Sequence, residues 1–366
     1  MAEKIRVGIV GATVSPSGSR WGANAHVPAL HALPEYELKA VCTAHEDTAA
    51  ASRDAFGAEL AFHDFATMVA NPEIDVIVVC VRVPAHHDLV MAALRAGKAV
   101  FCEWPLGANL AEAKEMAALA RERGLRTAVG LQARSDPAIR YARELVADGY
   151  IGEVLTASLS VIGQATLERT PDRIWQGQRV NGANPLTIAG GHAIDALCSI
   201  LGEFTDVSAR IATRIKEWRL AGSGESVAVD APDAISASGR LESGAEVSLQ
   251  VATVPSSPSG NRLTIYGREG TLVLTSGSAN IGPNQIHAAK GREAAAEMLP
   301  PDRLSPVPEG TPAGQARNVA QAYVRLADSL AAAEPFDPDF ELAVRRHRLL
   351  DAMERAAASG RSISLP

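Results

Sequence analysis

The chain has 366 residues, of which 47% are hydrophobic, and a formal net charge of −7 at pH 7. This length exceeds what one hydrophobic core usually serves, so we expect two domains with ample apolar side chains for both cores. The acidic balance and the lack of any basic run exclude nucleic acid as a ligand, because phosphates attract clustered Lys and Arg. No apolar run could span a bilayer and no signal-peptide pattern is visible, so we expect a soluble cytoplasmic protein that does not bind membranes.

Short β-branched runs alternate with helical stretches over the first 130 residues. The runs are continuously apolar, which is typical of strands covered on both faces. This alternation predicts an α/β fold that begins with a Rossmann domain over residues 1–130, a doubly wound parallel sheet with its ligand crevice beyond the carboxyl ends of the strands. We predict strands at 7–10, 38–41, 76–79, 99–101 and 127–129, and helices at 25–32, 47–56, 86–95 and 111–123, the last capped by Asn109 and ended by Gly124.

The first strand ends at Gly11, and a loop rich in Ser and Gly leads to Gly22 and a helix start. Such a junction directs backbone N–H groups and a helix N-terminus to the place where a dinucleotide pyrophosphate can bind. Thr13 replaces the usual central glycine, and Gly22 follows Gly11 by eleven positions instead of five. An ordinary Gly-rich turn is therefore the alternative. We expect Gly11, Thr13, Arg20, Trp21 and Gly22 to contact the cofactor.

The second predicted strand ends at Thr43, where a site that prefers NAD would place an acid for the ribose hydroxyls. Neutral Thr43, titratable His45 and nearby Arg20 tolerate a 2′-phosphate, so we expect NADP in preference to NAD. The alternative is that these side chains simply face water. At the end of the third strand, we expect Val81, Val83 and Pro84 to line the cofactor crevice.

The spacing of apolar residues changes after residue 130. The segments 155–161, 245–251 and 262–266 alternate apolar and polar residues, as strands with one buried face do. We predict an α+β domain over 131–366 with an open, mainly antiparallel sheet, and final helices at 314–333 and 340–358 that return toward the first domain. The loop at 166–185 is dense in hydrogen-bond donors, which suits a hydroxylated or carboxylated small-molecule substrate, although exposed loops are polar by default. Its candidate substrate residues are Arg173, Trp175 and Asn184.

Several motifs resemble one family. The run at 95–106, which contains Glu103-Trp104-Pro105, looks like the Glu-Lys-Pro segment of the glucose-fructose oxidoreductase and inositol dehydrogenase superfamily, Gfo/Idh/MocA. Residues 130–134 and 148–154 resemble its entry to the second domain, 190–195 its active-site helix and 345–352 its closing helix. The resemblance implies a homodimer or homotetramer, and cofactor contacts by His86, Glu103, Trp104 and Gln132. His86 and His87 are adjacent and so lie on different sides of a helix, and we predict no metal site.

This sequence departs from the family at two positions. Trp104 stands where the resemblance would place a catalytic lysine, and Ile188 stands where it would place an aspartate, so only His192 remains of the usual set. The Glu-Trp pair, the long first loop and the run 181–184 leading to 190–192 most resemble the subgroup related to the fungal galactose-regulon repressor. That protein is a dinucleotide-binding regulator thought to have lost catalysis, so the resemblance supports binding better than turnover.

Imidazole has a suitable pKa to give or take a hydroxyl proton, so His192 can act alone as general acid-base. Asp195, one helical turn later, either orients that imidazole or serves as a cap or ion-pair partner. Trp104 either stacks on the nicotinamide or a sugar ring, or fills the space of the lysine. We therefore predict an NAD(P)-dependent oxidoreductase that acts on CH–OH groups of a sugar, cyclitol or related compound, with Trp104 and His192 also contacting the substrate. The alternative is a non-catalytic dinucleotide sensor that acts through a protein partner.

Overall fold

A computed structural model of the chain describes residues 4–16 and 20–366. The chain divides into two compact units. The first comprises Met1–Gln132 and Pro306–Arg345, and the second comprises Ala133–Ser305 and Arg346–Pro366. Within the described residues, no helix is both long and apolar enough to cross a membrane.

The first unit contains a parallel sheet of six short strands connected by helices. The strands are β1 (Ile5–Val10), β2 (Tyr36–Cys42), β3 (Leu60–Phe62), β4 (Val76–Val79), β5 (Ala99–Glu103) and β6 (Thr127–Gly130). The helices are α1 (Val27–Ala32), which continues a π-helical turn at Gly22–His26, α2 (Glu46–Phe56), α3 (Phe65–Ala70), α4 (His86–Arg95) and α5 (Leu110–Glu122). The strand order is β3-β2-β1-β4-β5-β6, which confirms the predicted doubly wound sheet.

The order of the strands reverses at β1, which pairs with β2 on one side and with β4 on the other. In open α/β sheets, ligands bind outside the carboxyl ends of the strands at such a switch point. The predicted cap of α5 is confirmed, since Oδ1 of Asn109 accepts a hydrogen bond from the backbone N–H of Glu112 at 3.0 Å. The sequence analysis missed β3 and α3, which are three and six residues long and therefore too short to show a period.

The second unit is built on one large sheet and one small sheet. Its strands are β7 (Val154–Gln164), β8 (Glu168–Arg169), β9 (Phe204–Ala212), β10 (Glu217–Leu220), β11 (Ser226–Ala228), β12 (Ala234–Leu241), β13 (Glu246–Val254), β14 (Gly260–Gly267), β15 (Gly270–Ser276), β16 (Gln285–Lys290), β17 (Ala296–Met298) and β18 (Ile363–Ser364). Nine strands form the order β17-β16-β15-β14-β7-β13-β12-β9-β18, in which only β7 and β13 pair in parallel. β8, β10 and β11 form the small sheet. The prediction of an open, mainly antiparallel sheet is confirmed.

Two helices of the second unit position the site. α6 (Pro137–Ala147) begins at Asp136, whose side chain accepts hydrogen bonds from the first backbone N–H groups. α7 (Gly191–Leu201) continues a π-helical turn at Leu186–Gly190, and ten of its eleven residues are buried. α7 is therefore a core element of this unit, and a side chain on it has a fixed environment.

Two long helices close the chain, α8 (Gln315–Ala332) and α9 (Phe340–Ser359). Val319, Tyr323 and Leu326 of α8 are buried in the same core as β1 and α1. The segment 306–345 accordingly lies in the first unit, whereas the sequence analysis placed it in the second domain. The sequence analysis expected the final helices to return toward the first domain, but it drew the domain boundary by chain order, because the amphipathic stripe of a helix does not show which surface it covers.

Candidate functional site: a dinucleotide crevice and a buried histidine helix

The junction between β1 and the first helix depends on two glycines. Gly11 has a φ of +100°, and a Cβ placed there would lie 2.0 Å from the backbone oxygen of Cys80. A Cβ on Gly22 would lie 2.9 Å from the Cα of Ala12. Only glycine therefore allows the end of β1 to approach the end of β4, and the helix start to approach the loop. These are the roles of the first and last glycines in a dinucleotide-binding motif.

The other predicted loop residues have local roles. The hydroxyl of Thr13 accepts a hydrogen bond from the backbone N–H of Ser15 at 3.1 Å, so this position stabilises a turn. Arg20 is exposed and has a φ of +53°, and Trp21 is partly buried. Residues 17–19 of the predicted loop lie outside the described part of the chain.

The end of β2 carries both of the predicted polar residues. The hydroxyl of Thr43 donates to the backbone oxygen of His45 at 3.0 Å and lies 2.7 Å from the hydroxyl of Thr48. His45 is exposed and precedes α2. The first turn of α2 also holds exposed Glu46 and Asp47, which the sequence analysis did not consider. The neutral strand end is thus followed at once by two carboxylates.

Glu103, at the end of β5, is the centre of a buried hydrogen-bond network. Its Oε1 lies 2.9 Å from Nε2 of His26, and the side-chain amide of Gln132 donates to both carboxylate oxygens, at 2.8 and 2.9 Å. The hydroxyl of Tyr323 lies 2.8 Å from Nδ1 of His26, and burial raises the pKa of this phenol well above its usual value. Because a carboxylate only accepts, Nε2 of His26 donates to Glu103, and Nδ1 of a neutral imidazole then accepts a hydrogen bond from the hydroxyl of Tyr323. A Cβ on Gly130 would lie 2.4 Å from Oε1, so the network also requires glycine there.

This arrangement gives Glu103 and Gln132 a structural role at the strand ends. The sequence analysis expected Glu103 and Gln132 to contact the cofactor, and the network shows the contacts that hold them within the protein. It missed His26 and Tyr323 as partners, because neither lies near Glu103 in the chain. Trp104 follows directly, and its side chain is buried.

His86 connects the ends of β4 and β5. Its Nδ1 lies 2.9 Å from the backbone oxygen of Pro105, and its Nε2 lies 3.2 Å from that of Val81. Burial lowers the pKa of His86, which favours the neutral imidazole, and the single N–H of that form can donate to only one of these two carbonyl oxygens. Nearby, the side chain of Val83 is buried and that of Pro84 is exposed. The contribution of His86 is therefore to hold the backbone of the crevice.

The active-site helix predicted from the sequence is α7, and its second residue, His192, is buried. Asp195, one turn later, is fully buried and accepts from Nε and Nη2 of Arg134 at 2.8 and 3.0 Å. It also accepts from Nε of Arg346 at 3.1 Å, while Nη2 of Arg346 donates to Glu203 at 2.6 and 2.9 Å. Of the roles considered for Asp195, the structure therefore supplies the ion pair, which fixes the position of α7.

A cavity of about 200 Å³ lies within the second unit next to the start of this helix. Its lining includes Ile188 and Asn184, and the side chain of Asn184 accepts hydrogen bonds from the backbone N–H groups of Leu186 and Thr187. The predicted substrate residues Arg173 and Trp175 are not part of the lining. The cavity instead contains Arg169 and Trp218, which the sequence analysis did not select.

No three His, Cys, Asp or Glu side chains come together as a metal site in the ranges 4–16 and 20–366. All four cysteines are buried and unpaired, as expected for small core residues.

Two family models match the chain. Residues 5–131 match the model described as an oxidoreductase family with an NAD-binding Rossmann fold (Gfo/Idh/MocA). Residues 137–276 match the model of the Gal80p C-terminal domain.

Three known proteins illustrate the similarity. Dehydrogenase aclE of Aspergillus oryzae is 31% identical over 392 aligned positions, which cover 100% of this chain and 99% of the relative. The galactose/lactose metabolism regulatory protein GAL80 of Saccharomyces cerevisiae is 29% identical over an alignment that covers 60% of this chain and 52% of the relative. The crystal structure of a Gal80p super-repressor mutant from the same organism has a TM-score of 0.86 at 24% identity, and the superposition covers 99% of this chain and 98% of that one. Levoglucosan dehydrogenase in complex with NADH and levoglucosan has a TM-score of 0.85 at 21% identity, with 100% of both chains covered. The chain therefore belongs to the Gfo/Idh/MocA oxidoreductase family and carries a Gal80p-like C-terminal domain.

Proposed function

We propose that this protein is an NAD(P)-dependent oxidoreductase that interconverts an alcohol and a carbonyl on a hydroxylated small molecule, such as a sugar or cyclitol. The observation that carries the proposal is the backbone approach at Gly11 and Gly22, located at the switch point of the parallel sheet. Neither glycine leaves room for a Cβ, and the same geometry brings backbone N–H groups close to a bound pyrophosphate. The full-length similarity to a dehydrogenase supports the same conclusion.

The residues of the first unit fit a nicotinamide dinucleotide. The backbone around Gly11 and Gly22 would hold the pyrophosphate, Thr43 would lie by the adenosine ribose, and Trp104 would lie by the nicotinamide. When bound, the nicotinamide supplies or accepts the hydride of the reaction. The network around Glu103 keeps the end of β5 in one conformation, so the protein does not have to order this wall when the cofactor binds.

His192 is the proposed general acid-base. In the oxidative direction the imidazole of His192 would take the hydroxyl proton of the substrate as the C=O bond forms, and a bound nicotinamide would accept the hydride. In the reductive direction both transfers are reversed. Asp195 holds α7 through Arg134 and Arg346, so its effect on the chemistry is to fix the position of His192.

The preference for NADP over NAD depends on the end of β2. Thr43 places no charge against a 2′-phosphate, and Arg20 is exposed in the preceding loop. Glu46 and Asp47 oppose this preference, because two carboxylates in the first turn of α2 would repel the phosphate. We propose NADP as the better ligand because the residue at the strand end itself is neutral.

The test compares wild-type protein with His192→Gln. Sugars and cyclitols are offered with NADP⁺ and with NAD⁺, and the formation of reduced nicotinamide is followed by absorbance. We expect the variant to lose roughly 10²–10⁴-fold in turnover and to keep its dinucleotide affinity, because one general acid-base contributes about that much. His87→Gln is the matched control, since His87 lies on the surface of α4 and pairs with Glu115. Full turnover by His192→Gln would refute the proposed role.

A non-catalytic dinucleotide sensor is the second candidate. It is favoured by Trp104 and Ile188, which replace the family's lysine and aspartate, and by the match of residues 137–276 to the Gal80p C-terminal domain. Such a sensor would bind the dinucleotide, would turn over no compound of the panel, and would bind a protein partner with an affinity that the dinucleotide changes. The turnover assay, together with dinucleotide binding, separates the two candidates.

We also propose that the protein forms homodimers or homotetramers through the large sheet. β12 and β13 alternate buried and exposed residues along their length, so one face of the sheet is open to a partner. That face carries small polar side chains, including Ser236, Ser238 and Ser248. Sedimentation velocity over a range of protein concentrations tests this proposal, and a monomer at every concentration would refute it.

A further inference from the structure

The cavity of about 200 Å³ in the second unit lies close to the proposed acid-base group. One of its lining residues, Ile188, precedes His192 by four positions on the continuous helical run 186–201. Residues three or four positions apart share a face of a helix. The cavity therefore lies about one helical turn from the imidazole.

Arg169 brings a positive charge to this cavity. The Cζ atom of its guanidinium lies 4.6 Å from the centroid of the Trp218 ring, and its Nε is buried without a hydrogen-bond partner among residues 4–16 and 20–366. Burial, and the positive charge of Arg173, lower the pKa of Arg169. A desolvated charge is costly unless an opposite charge or acceptors compensate it, so Arg169 is suited to bind an anion.

The one acid in the cavity lining, Asp233, already has partners. Its two carboxylate oxygens accept the backbone N–H groups of Arg214 and Ile215, each at 2.7 Å. The remaining walls near Arg169 are largely apolar, since Val229 and Ala231 pack against Trp218. The cavity thus combines apolar walls with one guanidinium that has no carboxylate partner in the described chain.

We propose that this cavity is a subsite for the carboxylate of the substrate, and that Arg169 binds this group. The proposal deepens the proposed function and rests on it, because the substrate class becomes a hydroxy or oxo acid. A planar guanidinium matches a carboxylate through two parallel hydrogen bonds, and the single charge of a carboxylate matches Arg169, the one Lys or Arg of the lining, better than the double charge of a phosphate dianion does. The cavity volume of about 200 Å³ corresponds to the space that roughly seven water molecules take up in the liquid. This volume leaves room for a small ring or a branched carbon skeleton next to the carboxylate.

The test measures binding and needs no knowledge of the natural substrate. Thermal stabilisation and titration calorimetry compare D-glucuronate with D-glucose, and cyclohexanecarboxylate with cyclohexanecarboxamide, with inorganic phosphate and sulfate as further probes. We expect the two carboxylates to bind the wild-type protein better than their neutral analogues and better than the inorganic anions. In Arg169→Gln their affinity should fall roughly tenfold to a hundredfold, because a hydrogen-bonded charge is lost.

Two further variants keep the test decisive. Arg179→Gln removes a positive charge from the same loop, but Arg179 pairs with Glu354 and does not line the cavity, so carboxylate binding should remain. Arg169→Lys keeps the charge and loses the planar fork, so it should bind carboxylates with an intermediate affinity even if Arg169→Gln folds poorly. Neutral analogues that bind as well as carboxylates, no binding of either carboxylate, or phosphate as the best ligand would overturn the proposal.

The outcome also separates this proposal from the proposed function. Arg169 lies in the second unit, so Arg169→Gln should bind NADPH as the wild type does. If carboxylates bind and neither dinucleotide does, the proposed function fails and the carboxylate subsite remains. If a dinucleotide binds and carboxylates do not, the carboxylate subsite fails and the proposed function remains.

Discussion

Asp195→Asn is the substitution for which the structure gives the clearest magnitude. The carboxylate of Asp195 is fully buried and accepts three hydrogen bonds, two from Arg134 and one from Arg346. The asparagine side chain has the same shape as the aspartate, but it lacks the negative charge. Its NH₂ group would also place a second donor against a guanidinium, which only donates. Loss of one partner from a buried ion pair costs about 3–5 kcal/mol, because the remaining charge is left uncompensated. Arg346 keeps Glu203, so we expect a value near the lower end, about 3 kcal/mol.

The matched substitution is Glu203→Gln. The side chain of Glu203 is 31% exposed, so water compensates its loss and we expect a cost of about 1 kcal/mol. Hydrogen exchange of the α7 amides is the suitable assay, because a chain of two units need not unfold in one step. A cost of about 3 kcal/mol corresponds to a loss of roughly 10²-fold in protection, if α7 exchanges through unfolding of its unit. Equal protection in Asp195→Asn and wild type, or a larger loss in Glu203→Gln, would refute this reasoning.

Three further predictions concern the first unit. Gly11→Ala should lose more stability than the about 1–3 kcal/mol that a left-handed backbone alone costs, because its Cβ would meet the backbone oxygen of Cys80 at 2.0 Å. Gly97→Ala is the control, since Gly97 has a φ of +78° and a Cβ there would meet nothing within 4 Å. In thermal unfolding, Gly97→Ala should show only the cost of the backbone conformation. Thr43→Asp should weaken NADPH relative to NADH by about tenfold or more in a fluorescence titration, because it places a carboxylate by the 2′-phosphate, and an unchanged ratio would contradict that placement. Burial lowers the pKa of His86 from its ordinary 6.5, so the unfolded chain binds the extra proton first and stability falls as pH drops below 6.5. Denaturant titrations should show a flatter pH dependence in His86→Gln, and an unchanged slope would refute this assignment.

Much of the first unit could be predicted, because its strands and helices are long enough to show a period and its caps follow local rules. Asn109 is an example, since the residue that caps α5 lies three positions from the group that it binds. The short elements β3 and α3 carry too few residues for such a signal. The return of α8 toward the first domain was expected, but its apolar stripe fits many surfaces, and only the folded chain shows that it packs on the core around β1 and α1.

The candidate site was predicted less completely, because its chemistry depends on pairs that are distant in sequence. Glu103 could be selected from its motif, but its partners His26 and Tyr323 come from opposite ends of the chain. Asp195 was selected for its spacing from His192, whereas the residues that bind it lie 61 and 151 positions away. Arg169 and Trp218 stand in short strands of the small sheet, and neither strand has a pattern that would bring them together.

The central claim is that the first unit binds a nicotinamide dinucleotide at the end of β1. The most direct measurement is a titration of the purified protein with NADPH and, separately, with NADH, followed by quenching of tryptophan fluorescence. The account predicts saturable binding of both, with NADPH the tighter ligand. The absence of saturable binding of either compound would contradict it, and the enzyme and the sensor would then both have to be abandoned.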